Sequence, residues 1–206
     1  MKHRNLVVVS AGLSLPSSTR LLADRLAAAA GAAAARLDVR LDTRVIELRD
    51  HAHDLMNHLL TGFPSAGLGE AIDAVTEADA LIAVTPIFNA SYSGLFKSFF
   101  DVLDHEAMVD KPVLTAATGG TARHSLALEH AVRPMFAYLR AVVVPTTVFA
   151  ASQDWGGDDG GGGALQDRIE RAAGELAVEV SRREPVTVTD PFALSTSFED
   201  LLAAGG

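Results

Sequence analysis

The sequence predicts an α/β fold, a doubly wound five-stranded parallel sheet with helices on both faces. Three observations point there. Short apolar, β-branched runs alternate five times with helix-forming segments, the order that yields parallel strands joined by helical crossovers. One of them, Ala80-Leu81-Ile82-Ala83-Val84, is apolar throughout and reads as a buried strand. The chain has 206 residues and no internal repeat. That length suits one domain, large enough to bury about 70% of the surface of its unfolded form.

Composition removes several function classes. The chain has no cysteine, which excludes disulfide frameworks, thiolate catalysis and Cys-ligated metal centres. Its formal net charge is −9 and no basic face is evident, so nucleic-acid binding is not expected. Met1-Lys2-His3-Arg4 and the short apolar run after it are too brief for a signal sequence, and no stretch suits a membrane span. The expectation is a soluble, cytoplasmic protein.

The first strand is Asn5 to Ser10, and a loop crowded with hydroxyls follows it, Ser10 to Arg20. An Ala- and Leu-rich helix covers Leu21 to about Leu37. One cap would use one hydroxyl; Ser10, Ser14, Ser17, Ser18 and Thr19 offer more than that. The excess, the helix N-terminus and Arg20 suggest a phosphate cradle. The loop contains neither a Walker motif nor G-x-G-x-x-G. Thr43 to Leu48 is the second strand. His51, His53, His58 and Asp54 follow in a helical pattern; His-x-His brings two rings together only on a strand, so no metal site is assigned. Gly69 to Glu77 is a short helix and Asp79 to Val84 the third strand.

The polar stretch Thr85 to Lys97 comes next and runs into an amphipathic helix from Gly94 to about Leu103. The fourth strand, Lys111 to Ala117, ends in Thr118-Gly119-Gly120, where paired glycines permit a close backbone approach. Ser125 to Arg140 is a helix with Pro134 inside it, which predicts a kink or π-type irregularity. Ala141 to Ala150 is the fifth strand, and Pro145 predicts a bulge or edge there. A Gly- and Asp-rich loop, Trp155 to Gly163, precedes the last helix, Ala164 to Arg183; it reads either as a lid anchored by Trp155 or as plain disorder. Residues 1–184 form the domain. The apolar tail, 185–206, is expected to dock on its own or a partner subunit.

Ligands of open α/β sheets bind beyond the carboxyl ends of the strands. Three such loops offer hydroxyls at a helix start, then aromatics with Pro, Asn and Ser, then a Gly-Gly turn. Phosphate, flat ring and close backbone approach together describe flavin mononucleotide, FMN. Ser10, Ser17, Ser18, Thr19 and Arg20 would hold its phosphate. Backbone N–H groups from Ile87 to Ala90, with Phe88 and Asn89 between them, would meet the pyrimidine edge of the ring. Pro86 fixes the turn, and Phe88 and Tyr92 stand as either ring contacts or packing.

The segments Val7 to Arg20, Thr85 to Asp101 (TPIFNASYSGLFKSFFD) and Ala117 to Pro134 resemble the NADPH-dependent FMN reductases of the flavodoxin-like superfold, over nearly the whole chain. More narrowly, the chain resembles reductases partnered with luciferase-like monooxygenases. The resemblance implies strand order 2-1-3-4-5, hydride transfer from NADPH to FMN, and a homodimer or homotetramer. It also implies that Gly119, Gly120 and His124 lie beside the ring, with Arg123 or His124 able to meet the nicotinamide nucleotide. The phosphate loop departs from the Gly-Ser-x-Arg start of many relatives, reading Ala11-Gly12-Leu13-Ser14 instead.

Stacked rings about 3 to 3.5 Å apart suffice for hydride transfer, so no catalytic acid or base is expected. Two alternatives stand beside this reading: a quinone or azo reductase that keeps FMN tightly bound, and a flavodoxin-type electron carrier. A pure binding or scaffold protein on the same sheet is a third.

Overall fold

The computed structural model describes residues 1–155 and 161–186. Its strands are β1 (Lys2–Ser10), β2 (Val39–Glu47), β3 (Ala80–Phe88), β4 (Ser91–Tyr92), β5 (Pro112–Gly119), β6 (Val142–Val143) and β7 (Val148–Ala151). Its helices are α1 (Ser18–Ala35), α2 (Ala52–Thr61), α3 (Ala66–Glu77), α4 (Gly94–Asp101), α5 (Arg133–Tyr138) and α6 (Gly161–Arg182).

The sheet runs β2-β1-β3-β5-β6, with β7 continuing the outer strand along β5 and β4 folded back onto β3. All its pairings except β3–β4 are parallel. Counting β6 and β7 as one interrupted strand, this is the expected five-stranded flavodoxin-like order. The break falls at Pro145, between Val143 and Val148, where a missing N–H would leave a gap in a continuous ladder. β1 and β2 begin earlier than the sequence pattern suggested because they pair with each other from Lys2↔Val39 to Ser10↔Glu47. β2 is the edge strand and alternates polar residues outward, which obscured its start.

Each strand sends alternate side chains to opposite faces, and each face has its own core. Val7, Val9, Leu81 and Ala83 pack with Leu55, Leu68, Phe96, Phe99 and Phe136. On the other face Leu6, Val8, Ile82, Val84 and Leu114 pack with Leu22 and Leu26 of α1 and Ile169 and Leu176 of α6. The helix expected over Ser125 to Arg140 contains a π-helical turn, Leu128–Val132, and resumes as α5 with Pro134 in its first turn. Proline cannot donate to the carbonyl four residues back and crowds it, so the widened turn absorbs the mismatch.

No helix among the described residues is long and apolar enough to cross a membrane. The tail, beyond Val186, and residues 156–160 of the glycine-rich loop lie outside the described residues.

Candidate active site

Because the strands are parallel, their carboxyl ends share one edge, and β1 and β3 leave it in opposite directions. A cavity of about 430 Å³ opens there, within the roughly 300 to 1,000 Å³ usual for small-molecule sites. Four segments line it: Leu13, Ser14, Ser18 and Thr19 after β1; Pro86, Ile87 and Phe88 at the end of β3; Thr118, Gly119 and Gly120 at the end of β5; and Ser152 and Trp155 after β7.

The β1 loop closes tightly on the start of α1. A Cβ on Gly12 would fall 2.1 Å from the Ser17 Oγ, so only glycine fits beneath that hydroxyl. Ser17 is the N-cap and its Oγ accepts from the Arg20 amide at 3.2 Å. Capping therefore occupies Ser17, while Ser14, Ser18 and Thr19 face the cavity at the positive end of an 18-residue helix. The buried Ser10 Oγ has no hydrogen-bond partner among the described residues. Arg20 is turned to carboxylates: its Nε donates to Asp24 at 2.8 Å and its Nη1 to Glu47 at 2.6 Å. The Asp24 bond, with Glu47 adding to it, raises the guanidinium's pKa against partial burial. Arg20 thus anchors the helix start to the end of β2 and does not line the cavity.

The stretch after Val84 is more ordered than its polarity suggested. β3 continues to Phe88, the chain reverses through Asn89 and Ala90, and Ser91 and Tyr92 pair back on Phe88 and Ile87. Asn89 and Ala90 have φ of 47° and 69°. Positive φ at both central positions is the type I′ pattern of a two-residue hairpin. Asn tolerates it; Ala90 does so at a steric cost. The Thr85 hydroxyl accepts from the Ser93 amide at 3.1 Å, and Ser93 caps α4 by accepting from the Phe96 amide at 3.2 Å. These bonds tie the hairpin to a rigid helix. Tyr92 is half-buried with its ring centroid 6.0 Å from that of Phe96, so it packs behind the hairpin, while Phe88 borders the cavity and is 47% exposed.

The two glycines after β5 have different reasons. A Cβ on Gly119 would lie 2.8 Å from Cζ of Phe149, whereas one on Gly120 would meet no protein atom within 4 Å. Gly119 is required by packing; Gly120 leaves free space beside the cavity. His124 sits in a short 3-10 turn and lines a second concavity with Arg123, His130 and Ala90. Sequence reasoning missed Leu13 and Ser152 and treated Trp155 only as a loop anchor. Trp155 lines the cavity, with the Arg25 guanidinium carbon 5.2 Å from its ring centre. The signal was available, since Ser152 to Trp155 leave a strand's carboxyl end like the other three loops.

Residues 4–156 match the sequence profile of the NADPH-dependent FMN reductases. The chain belongs to that family. The match takes in all four cavity segments and stops just past Trp155. An FMN reductase (NADPH) of Pseudomonas aeruginosa is 39% identical over 83% of this chain and 89% of its own length. The NADH-dependent FMN reductase SfnE of Pseudomonas putida is 37% identical over 84% of this chain and 90% of its own. Among solved structures, an oxidoreductase of Corynebacterium diphtheriae superposes with a TM-score of 0.85 at 47% identity, covering 89% of this chain and all of that one. The apo form of an NADH:FMN oxidoreductase superposes at 0.69 with 33% identity, covering 82% of this chain and 88% of its own. Family members thus include proteins named for each nicotinamide donor.

Proposed function

We propose that this chain is an NAD(P)H:FMN oxidoreductase that binds FMN in the four-segment cavity. Membership of the reductase family carries the reading, and the cavity's chemistry fits the ligand. The N-terminus of α1 with Ser14, Ser18 and Thr19 suits a phosphate. The orphaned Ser10 hydroxyl at the root of the same loop is a further polar group that a ligand or a ligand-held water would satisfy. The rigid hairpin from Ile87 to Ala90 offers amides to a ring edge that gains negative charge. Gly120 leaves room for a flat ring.

When bound, FMN would supply the two-electron acceptor: loss of a hydride would oxidise NAD(P)H, its gain would reduce the flavin, and a solvent proton would balance the charge. The chain's own groups orient and shield. Trp155, Leu13 and Phe88 exclude water, and no side-chain acid or base is needed. The reduced FMN is proposed to supply a flavin-dependent monooxygenase, and the enzyme to work as a cytoplasmic homodimer or homotetramer.

The test is NADPH and NADH oxidation with and without added FMN. Flavin-dependent consumption is expected; consumption of neither nucleotide in the presence of FMN overturns the reading. Trp155 is the only tryptophan of the chain, so FMN titration should quench its fluorescence. An unquenched signal removes FMN from this cavity.

A further inference from the structure

Trp155 walls one side of the four-segment cavity, yet it is the last residue of a short 3-10 turn, Ser152–Trp155, and belongs to no strand or long helix. Its turn is pinned at Asp154, whose Oδ2 accepts from the Ala151 amide at 2.8 Å and lies 3.7 Å from Arg168. Those contacts hold the backbone and leave the indole to be oriented from another element. That element is α1, where the guanidinium carbon of Arg25 stands 5.2 Å from the centre of the Trp155 ring. We infer that Arg25 is a positioning residue, which holds Trp155 as a wall of the cavity and thereby sets how long a flavin stays. The inference rests on the FMN reductase reading and adds to its site a residue that does not itself line the cavity.

The helix period places Arg25. It follows Ser18 by seven residues, about two turns, so the two share one face of α1. That face begins in the cavity with Ser18 and leaves it by Arg25, where Trp155 meets it from the segment that follows β7. The indole also packs against the core that α1 and α6 build on this side of the sheet. Apolar packing fixes burial; a planar guanidinium stacked on the ring fixes its orientation as well.

Arg25 is available for the stack because the acids near it are engaged. It forms no ion pair with a described residue. Asp24, its neighbour in sequence, accepts from the Arg20 Nε at 2.8 Å. Glu170, which shares the groove between α1 and α6 with Arg25, accepts from the Gln166 Nε2 at 2.9 Å. The negative face of an aromatic ring is then the partner that remains for this exposed guanidinium. A cation stacked on a ring at the surface is worth about two- to fivefold in an equilibrium constant. A contact of that size biases the wall without fastening the flavin in, as suits a flavin that is exchanged.

The first arm of the test needs no flavin. Trp155 is the only tryptophan of the chain, so acrylamide quenching of the free protein reads its position alone. Arg25→Met keeps the length of the side chain and removes its charge, and at an exposed position it leaves the fold intact. Quenching should rise in Arg25→Met and rise less in Arg25→Lys, which keeps a cation but not the planar stack. Quenching unchanged in Arg25→Met overturns the inference.

The second arm reads FMN binding through the flavin's own fluorescence. Arg25→Met should raise the FMN Kd about two- to fivefold, with the change in the release rate. The same substitution in a Trp155→Leu background should leave the Kd of that background where it is, because a positioning residue acts only through the group it positions. An equal loss in both backgrounds would mean that Arg25 meets the flavin directly, and overturns the inference. A wild-type protein that binds no FMN would instead overturn the FMN reductase reading, and the quenching arm would still decide whether Arg25 holds the ring.

Discussion

The hydroxyls of Thr19 and Thr118 lie 2.8 Å apart in a buried contact that spans 99 residues of sequence. One stands in the first turn of α1, the other at the carboxyl end of β5, and both line the four-segment cavity. The contact ties the start of α1 to the end of β5 across the cavity, and in the proposed FMN complex it would join the phosphate end to the ring end. A buried hydroxyl pair contributes about 1 kcal/mol, and stranding one member costs about 1 to 3 kcal/mol.

Thr118→Val should therefore destabilise the fold by about 1 to 2 kcal/mol and weaken FMN binding, because the two loops lose their fixed spacing. Thr19→Val with Thr118→Val leaves no stranded group and should recover part of the stability but not the affinity. Urea unfolding and FMN titration of the two proteins check this. With Thr19→Val measured alone as well, a double-variant loss equal to the sum of the two single losses would mean that the hydroxyls act independently.

Gly119→Ala and Gly120→Ala separate packing from ligand contact. The first pushes a methyl into the Phe149 ring, which is buried, and should cost about 1 to 3 kcal/mol by overpacking. Shortening the ring as Phe149→Leu should restore much of it. The second meets no protein atom, so its melting temperature should match the wild type while FMN affinity drops. An unaltered FMN Kd in folded Gly120→Ala would place the flavin elsewhere.

Much of this architecture was legible in the sequence, and the reasons differ by element. The buried parallel strands announce themselves because both faces must be apolar, and the serine excess marks the start of α1. Pro134 and Pro145 revealed the π turn and the broken fifth strand, since a missing N–H has few consequences to choose among. The hairpin was hidden. Asn-Gly is the usual two-residue turn, and Asn89-Ala90 places a residue with a Cβ where φ is positive. Arg20 and Ser17 were legible as site residues only by type; that their polar atoms serve Glu47, Asp24 and the helix cap depends on contacts across the fold. Tyr92 reads as either a ring contact or a packing residue until its packing on Phe96 is seen.

Ala90 makes its own prediction. A left-handed conformation costs a residue with a Cβ about 1 to 2 kcal/mol, and glycine regains that while losing about 0.5 to 1 kcal/mol to unfolded-state entropy. Ala90→Gly should gain a few tenths to 1 kcal/mol, raising Tm by about 1 to 4 °C in a chain this long. Ala90→Val should destabilise and weaken FMN binding, since a β-branched residue resists positive φ. A thermal melt that ranks Val above Gly would remove the strain from the account of the hairpin.

Lys111 supplies a pH dependence that has nothing to do with the active site. It is buried at the start of β5, and its ammonium donates to the carbonyls of Val75 and Thr76 in the last turn of α3. Burial lowers its pKa from 10.5 to about 8, partly opposed by the nearby Asp79. Between those values the unfolded chain holds a proton that the folded chain has released, so stability rises with pH across that window and is flat below it. The full gap corresponds to roughly 3 kcal/mol. Lys111→Met should abolish that rise, while its neutral side chain leaves the two α3 carbonyls without their donor at every pH. Urea midpoints from pH 7.5 to 10.5 decide it through the difference between the two proteins, because the other lysines and the tyrosines titrate in both. Parallel curves would mean that the ammonium stays charged throughout the window, held by the α3 carbonyls and Asp79 against the cost of burial.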